Sequence, residues 1–242
     1  MAKTIQKKQT LNVELHNARI GLFSSVLLVV AALIGVFWAL WYRGFDPVML
    51  LFLVPISYFV YEVYKKQQQI EIIKAGIKGE AQALKTLAAA LPEGYTILNC
   101  VIVRYHEQKS QVDNIIVGPT GVYACEVKTL NGIVKGDTRK PHWMQAKQRK
   151  GKLQKKEFYN PVMQVITHKE RIQAYLKQEG FATKPCGMVF FAGGRTKLQV
   201  EGPLDGIRLF TEEKLNSLVR FVTEGEQVLD KAEIKKIIHA LN

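Results

Sequence analysis

The stretch QVDNIIVGPTGVYACEVK, residues 111–128, decides how the rest of the chain is read. Two runs rich in β-branched residues, 112–117 and 122–128, flank Gly118, Pro119, Thr120 and Gly121, residue types that favour a tight reversal between strands. With Gly118 facing Gly121, Val117 faces Val122, Ile115 faces Ala124 and Asp113 faces Glu126. Alternation along each strand then sends Asp113, Glu126 and Lys128 to one face, and Asn114, Cys125 and Val127 to the other. Like charges at a facing pair are destabilising by up to ~1 kcal/mol. A divalent cation between them reverses that sign, because carboxylate oxygens are what Mg²⁺ or Mn²⁺ takes from a protein. The competing reading is a solvent-exposed face on which Lys128 screens both acids.

Upstream, Ile73, Ile77, Leu84, Leu87 and Leu91 recur at helical spacing until Pro92 ends the pattern. Glu80 stands on the same stripe, so a helix that packs this face carries a carboxylate inward, where it needs a metal, a base or a proton. The alternative is a kink at Gly79 with Glu80 turned out to solvent. Residues 95–105 read as a mostly buried strand and 107–110 as a polar turn. Asn131-Gly132 signals a tight turn that returns the chain through Ile133 and Val134, completing an antiparallel meander. The basic stretch that follows, with Trp143 inside it, has no clean period and reads as a long loop.

Asn160-Pro161 opens a helix. Val162, Val165, Ile166, Ile172 and Leu176 form its core stripe, with Gln164, His168 and Tyr175 on a polar stripe beside it. His168 is expected on the exposed or half-buried face rather than as a ligand, and Cys125 is expected in the core. Residues 187–192 and 206–210 read as buried strands separated by a polar excursion. Residues 212–222 and 231–241 read as helices, the second opened by a capping-box-like pair, Asp230 and Glu233.

Of the 242 residues 48% are hydrophobic, and they are unevenly spread. Residues 20–42 carry no charge, and a second apolar run covers 47–64 with Glu62 near its end. Each approaches the roughly 20 residues a helix needs to cross a bilayer, so residues 1–69 read as an anchor of two transmembrane helices, about 20–42 and 47–64. A signal peptide with Lys3, Lys7, Lys8 and Arg19 as its basic region is the competing reading of the first run, but the apolar part is too long and no cleavage site follows. The short connection Arg43, Gly44, Phe45, Asp46 makes a hairpin. Basic residues before it and Lys65 and Lys66 after it put both termini and the domain at 70–242 in the cytoplasm. No charge within the membrane runs suggests a transport pathway.

The formal net charge is +13. Residues 135–156 alone hold nine basic side chains against Asp137, so one local patch accounts for most of the excess. Lys140, Lys147, Arg149, Lys150, Lys152, Lys155 and Lys156 are the candidate contacts to nucleic-acid phosphates, which such residues bind by releasing counterions. Anionic lipid headgroups are the rival partner for a tethered domain. Trp143 suits stacking on an unpaired base, although packing as core is the favoured reading. The cysteines Cys100, Cys125 and Cys186 are too widely spaced for a disulfide framework or a zinc site.

Gly79-Glu80 on a helix, Asp113 followed by residues 115–122, Glu126-Val127-Lys128, Trp143, and Asn160-Pro161-Val162-Met163-Gln164 together resemble the nuclease-related domain, a branch of the PD-(D/E)xK nucleases. The resemblance covers about residues 75–190. It implies an α/β (α+β) restriction-endonuclease-like mixed sheet flanked by helices, here preceded by the membrane hairpin. It implies that Asp113 and Glu126 ligate Mg²⁺ or Mn²⁺, with Glu80 completing the acidic cluster. In the same reading Lys128 holds or activates the attacking water, and Gln164 orients a water or a phosphate. The function implied is a membrane-anchored, metal-dependent hydrolase of DNA or RNA phosphodiester bonds. The alternative is a non-catalytic module that binds nucleic acid or scaffolds partners at the membrane on a retained nuclease fold, since fold alone does not establish activity.

Overall fold

The computed structural model describes residues 1–6, 10–44, 46–105, 107–149 and 151–242. In chain order these form β1 (Lys3–Gln6), α1 (Thr10–Arg43), a 3-10 turn (Pro47–Phe52), α2 (Leu53–Ala90), β2 (Thr96–Tyr105), β3 (Gln108–Gly118) and β4 (Gly121–Lys128). There follow β5 (Gly132–Asp137), β6 (His142–Arg149), β7 (Lys152–Tyr159), α3 (Pro161–Gln178), β8 (Cys186–Phe191), β9 (Thr196–Glu201) and β10 (Arg208–Thr211). A 3-10 turn (Glu212–Lys214), α4 (Leu215–Thr223) and α5 (Lys231–Leu241) close the chain. The fold is mixed α/β. Met1–Lys8 with Gly79–Asn242 make one compact unit, and Gln9–Lys78 a second.

Within the larger unit a six-stranded sheet runs in the order β1-β2-β3-β4-β8-β10, and a four-stranded sheet in the order β7-β6-β5-β9. The hairpin register is the expected one: Gly118 faces Gly121, Val117 faces Val122 and Ile115 faces Ala124, as far as Asn114 with Cys125. β4 is flanked on its other side by β8 in parallel, with Glu126 level with Val189 and Lys128 with Phe191. The β4 interior is buried from Gly121 to Val127, as a central strand covered on both faces requires. One face, through Cys125 and Val127, packs on Ala83, Leu84 and Leu87 of α2 and Leu218 and Val222 of α4. The other, through Val122 and Ala124, packs with Ile172 and Leu176 of α3 and Ile237 of α5.

Several expectations need correction. β2, β3 and β4 form an antiparallel meander, but the strand after Asn131-Gly132 does not join it: Gly132 takes a left-handed turn geometry (φ 93°), and the turn diverts β5 into the second sheet, where it pairs with β6 and β9. A turn signal specifies backbone conformation and says nothing about which sheet receives the next strand. The basic stretch is no loop: β6 and β7 form an antiparallel hairpin paired from His142 with Tyr159 to Arg149 with Lys152. Its apolar periodicity is hidden because β7 is an edge strand, exposed along most of its length. The polar excursion after β8 contains the strand β9. Residues 3–6, expected only as a basic flank, form β1, parallel to β2, with Ala2 buried in the core.

The two expected membrane spans are also revised. Among the described residues one helix, Leu11–Tyr42, is long and apolar enough to cross a membrane, and its side chains are largely uncovered by the protein. The second run forms no helix of its own. It starts as the 3-10 turn and continues into α2, which becomes polar from Lys65 onward. Lys7, Lys8 and Phe45, expected at the flank and the connection, lie outside the described residues.

Asn160 joins the second sheet to α3. Its side-chain oxygen accepts from the amides of Val162 (2.9 Å) and Met163 (3.4 Å), capping the helix. Its amide nitrogen donates to the carbonyls of Thr138 (2.9 Å) and Lys140 (2.8 Å), and the residue is fully buried. Replacing it by Ala removes a cap, typically ~1 kcal/mol, and strands two carbonyls that water does not readily reach, at roughly 1–3 kcal/mol more. Asn160→Ala should therefore lower stability by about 2–4 kcal/mol in a denaturant titration of the purified chain. Asn160→Asp, which keeps the cap acceptor and loses the donors, should fall between the two.

Candidate active site

The site lies where the β3–β4 ladder ends. Beyond Asn114 and Cys125 the ladder pairing stops, and the Asp113 carboxylate itself accepts the Val127 amide, Oδ2 to N at 2.9 Å. A side chain thus replaces the strand carbonyl as acceptor for a central-strand amide. Glu126 is buried one residue before, and its Oε1 accepts from Lys128 Nζ at 2.7 Å. Lys128 keeps part of its side chain in solvent and donates a second hydrogen bond to Gln164 Oε1 of α3 at 3.2 Å. Lys128 and Glu126 therefore share a face, as alternation requires.

Glu80 reaches the same region from α2. Its neighbour Gly79 packs against Thr129, directly after Lys128. A Cβ on Gly79 would stand 2.6 Å from the Thr129 Cγ2, so only glycine allows the helix this close. That close approach, rather than a kink, explains the glycine, since α2 is helical through it.

The electrostatics divide the three acids. Burial, followed by the charge of Glu126, pushes the Glu80 carboxyl up to about 6, against a smaller opposing effect of Lys128. Burial also raises Asp113 well above the usual carboxylate range. The charges of Glu126 and Glu80 add to this, against the Val127 amide and Lys128. For Glu126 burial again pushes upward, but a hydrogen bond from His168 and the Lys128 ammonium outweigh it and hold the carboxyl below its ordinary value. One acid is thus kept ionised beside the lysine, while two crowded neighbours resist ionisation.

All five residues expected at the centre come together here: Glu80, Asp113, Glu126, Lys128 and Gln164. His168 joins them against expectation. It is buried, with Nε2 3.4 Å from Glu126 Oε2 and Nδ1 2.8 Å from Ser110 Oγ. The available signal was its spacing: His168 stands four residues after Gln164, one turn along the same helix face. Tyr175, on the expected polar stripe, instead donates to the Ala240 carbonyl at 2.7 Å. Trp143 is buried and donates to the Asp137 carbonyl at 3.1 Å, so it is core and offers no stacking surface.

Among the described residues no three His, Cys, Asp or Glu side chains stand close enough together to surround an ion as they are placed. Asp113 is turned to the Val127 amide and Glu126 is engaged by Lys128 and His168. Of the expected phosphate contacts, Lys152, Lys155 and Lys156 are exposed on β7, Lys140 is exposed before β6, and Lys147 is half-buried on β6. The Arg149 side chain and Lys150 lie outside the described residues. The register puts Lys147, Lys152 and Lys156 on the face shared with Trp143 and Phe158, and Lys155 on the opposite face.

Residues 75–192 match the nuclease-related domain. The matched segment, just under half of the chain, contains every residue of the site, from Glu80 on α2 to His168 on α3. An uncharacterized protein of Bacillus anthracis is 26% identical over 136 residues, which are 56% of this chain and 59% of that protein's length. No solved structure matches.

A group whose carboxyl is raised on folding contributes stability that is complete below its unfolded value and lost as pH rises through its folded one. For Glu80 that window runs from 4.5 to about 6. In buffer free of divalent cations, Glu80→Gln should melt close to wild type at the acid end of this window and above it at about pH 7.5. A melting-temperature difference that is flat across the window would show that Glu80 is not crowded by its neighbours.

Proposed function

We propose that the chain is a membrane-anchored nuclease that hydrolyses nucleic-acid phosphodiester bonds with Mg²⁺ or Mn²⁺. The observation that carries the reading is the meeting of Glu80, Asp113, Glu126 and Lys128 from a helix and two strands, inside the segment that matches the nuclease-related domain. The donor set fits a hard divalent cation. Three carboxylates supply oxygens, Glu126 Oε2 is buried with His168 Nε2 its counterpart at a long 3.4 Å, and the repulsion that adds to burial in raising Asp113 and Glu80 is what a cation relieves. Asp113 and Glu126 would hold the ion, with Glu80 beside them. The ion would polarise a phosphoryl oxygen and acidify a bound water.

The chain's own groups then have defined tasks. Lys128 has three N–H donors. Two are used on Glu126 and Gln164, leaving one to meet the attacking water or a non-bridging phosphate oxygen from the partly exposed ammonium. Gln164 accepts from Lys128 through Oε1, so its amide N–H₂ is free to donate to a phosphate. The lysines on β6 and β7 supply sequence-independent attraction for the polyanion.

The anchor reading rests on connectivity. Met1–Lys8 and Gly79–Asn242 belong to one unit, so the segment between them both leaves and rejoins it. A cleaved leader would carry β1 away, yet β1 is hydrogen-bonded into the sheet and Ala2 is core. A helix buried in a soluble core is equally unsuitable, because Phe23, Phe37 and Trp41 are among many exposed apolar side chains on α1. If α1 crosses the bilayer, the chain must cross back through residues 44–78. Lys66 of α2 donates to the Gly21 carbonyl (2.9 Å) and Ser25 Oγ (2.7 Å) of α1, which supports a return of the chain toward the start of α1. With Lys3 before the apolar segment and Lys65 and Lys66 after it, the positive-inside rule would put the larger unit in the cytoplasm.

Two measurements test these readings. The full-length chain in detergent should cut DNA or RNA in Mg²⁺ or Mn²⁺, and Asp113→Asn or Lys128→Met should each lower the rate by roughly 10²–10⁴-fold. Retention of every measurable function in these variants, with loss on charge reversal of Lys147, Lys152 and Lys156, would establish a binding module instead. For topology, Cys186 is the exposed natural cysteine. A membrane-impermeant maleimide should label Asp46→Cys in intact cells and Cys186 only after lysis.

A further inference from the structure

We infer that His168, set by Ser110, is a positioning residue that locks the carboxylate of Glu126. The inference rests on the reading of Glu126 as part of the proposed metal centre. Ser110 of β3, His168 of α3 and Glu126 of β4 are each at least nine-tenths buried and form a chain from Oγ through the imidazole to Oε2. At 3.4 Å the His168 Nε2 to Glu126 Oε2 contact is at the long edge of hydrogen bonding. Neither atom has another hydrogen-bond partner among the described residues, so each is the other's counterpart.

The chemistry selects one arrangement of protons. An unprotonated Nε2 would point a lone pair at a carboxylate oxygen, so the proton belongs on Nε2, facing Glu126. In the neutral ring Nδ1 is then the acceptor, and the Ser110 hydroxyl donates to it. The Glu126 carboxylate thus selects the tautomer, and the Ser110 hydroxyl, donating to Nδ1, supports it and fixes the ring. Lys128 holds the other oxygen, Oε1, at 2.7 Å. The terminal torsion of a glutamate is ordinarily broad. Held at both oxygens, Glu126 keeps one orientation, and each oxygen retains lone-pair capacity for a cation. Arg171, one turn beyond His168, donates through Nη1 to the Lys109 carbonyl at 2.9 Å, tying α3 to the segment that carries Ser110.

The test uses the full-length chain in detergent, with imidazole ¹⁵N labelling and Mn²⁺ titration followed by electron paramagnetic resonance. In the metal-free wild type the ¹⁵N spectrum should show the His168 proton on Nε2, and Ser110→Ala should mix the tautomers. His168→Ala should weaken Mn²⁺ binding about 10–100-fold, the size of effect seen when partners that orient metal ligands are removed. His168→Gln, whose amide nitrogen can reach the position of Nε2, should recover most of the loss. An Nδ1-protonated ring in wild type, a ring indifferent to Ser110→Ala, or wild-type Mn²⁺ affinity in His168→Ala would overturn the inference. A wild type that binds no Mn²⁺ yet keeps a Ser110-dependent Nε2 tautomer would overturn the metal reading and support the hold of His168 on Glu126.

Discussion

The amide of Val127 donates to the carboxylate of Asp113, and the candidate site depends on that bond. It forms because the β3–β4 ladder pairing ends at Asn114 and Cys125, leaving a central-strand donor that must be satisfied. The bond draws Asp113 toward the end of β4, close enough to Glu126 for that charge to disfavour ionisation of Asp113. Lys128, two residues along the same face, lies over the same point. The helices complete the arrangement: α2 approaches because Gly79 has no side chain to meet Thr129, and α3 supplies Gln164 and His168 one turn apart.

The result is an asymmetric cluster of acids. Glu126, most deeply placed, has both oxygens addressed by cationic or N–H groups and stays ionised, whereas Asp113 and Glu80 are pushed toward their protonated forms. Crowding three acids beside one ammonium in a poorly solvated place carries a standing electrostatic cost, which the protonation of Asp113 and Glu80 only partly relieves. A stability role alone gives no reason to retain it. Under the proposed function a bound cation would relieve it, and perturbed acids gathered near a partly exposed lysine are characteristic of functional sites.

The second sheet is tied to the site region through short links. Gln145 donates to the Asn131 carbonyl at 2.7 Å, and Asn160 ties the β5–β6 turn to the helix that carries Gln164 and His168. The basic β6–β7 hairpin is thereby attached to the elements that build the site, which suits a surface that guides a polyanion.

Much of this was legible in the chain. The Gly118–Gly121 reversal set the hairpin register. The α2 stripe placed Glu80 inward, Asn160-Pro161 placed the start of α3, and Asp230 with Glu233 placed the start of α5, because each depends on neighbours only a few residues apart. The parallel pairing of β4 with β8, the diversion of β5 into a second sheet, the β1 strand and the edge strand β7 were not, because each depends on partners distant in sequence. His168 illustrates the division: its helix and its polar stripe were readable, yet its burial between Ser110 and Glu126 follows only once α3 lies across β3 and β4. Local residue types and spacing determined the elements and which side chains share a face. Only the packing of helices against the sheets decided which faces meet, since that choice is made by contacts among residues tens of positions apart.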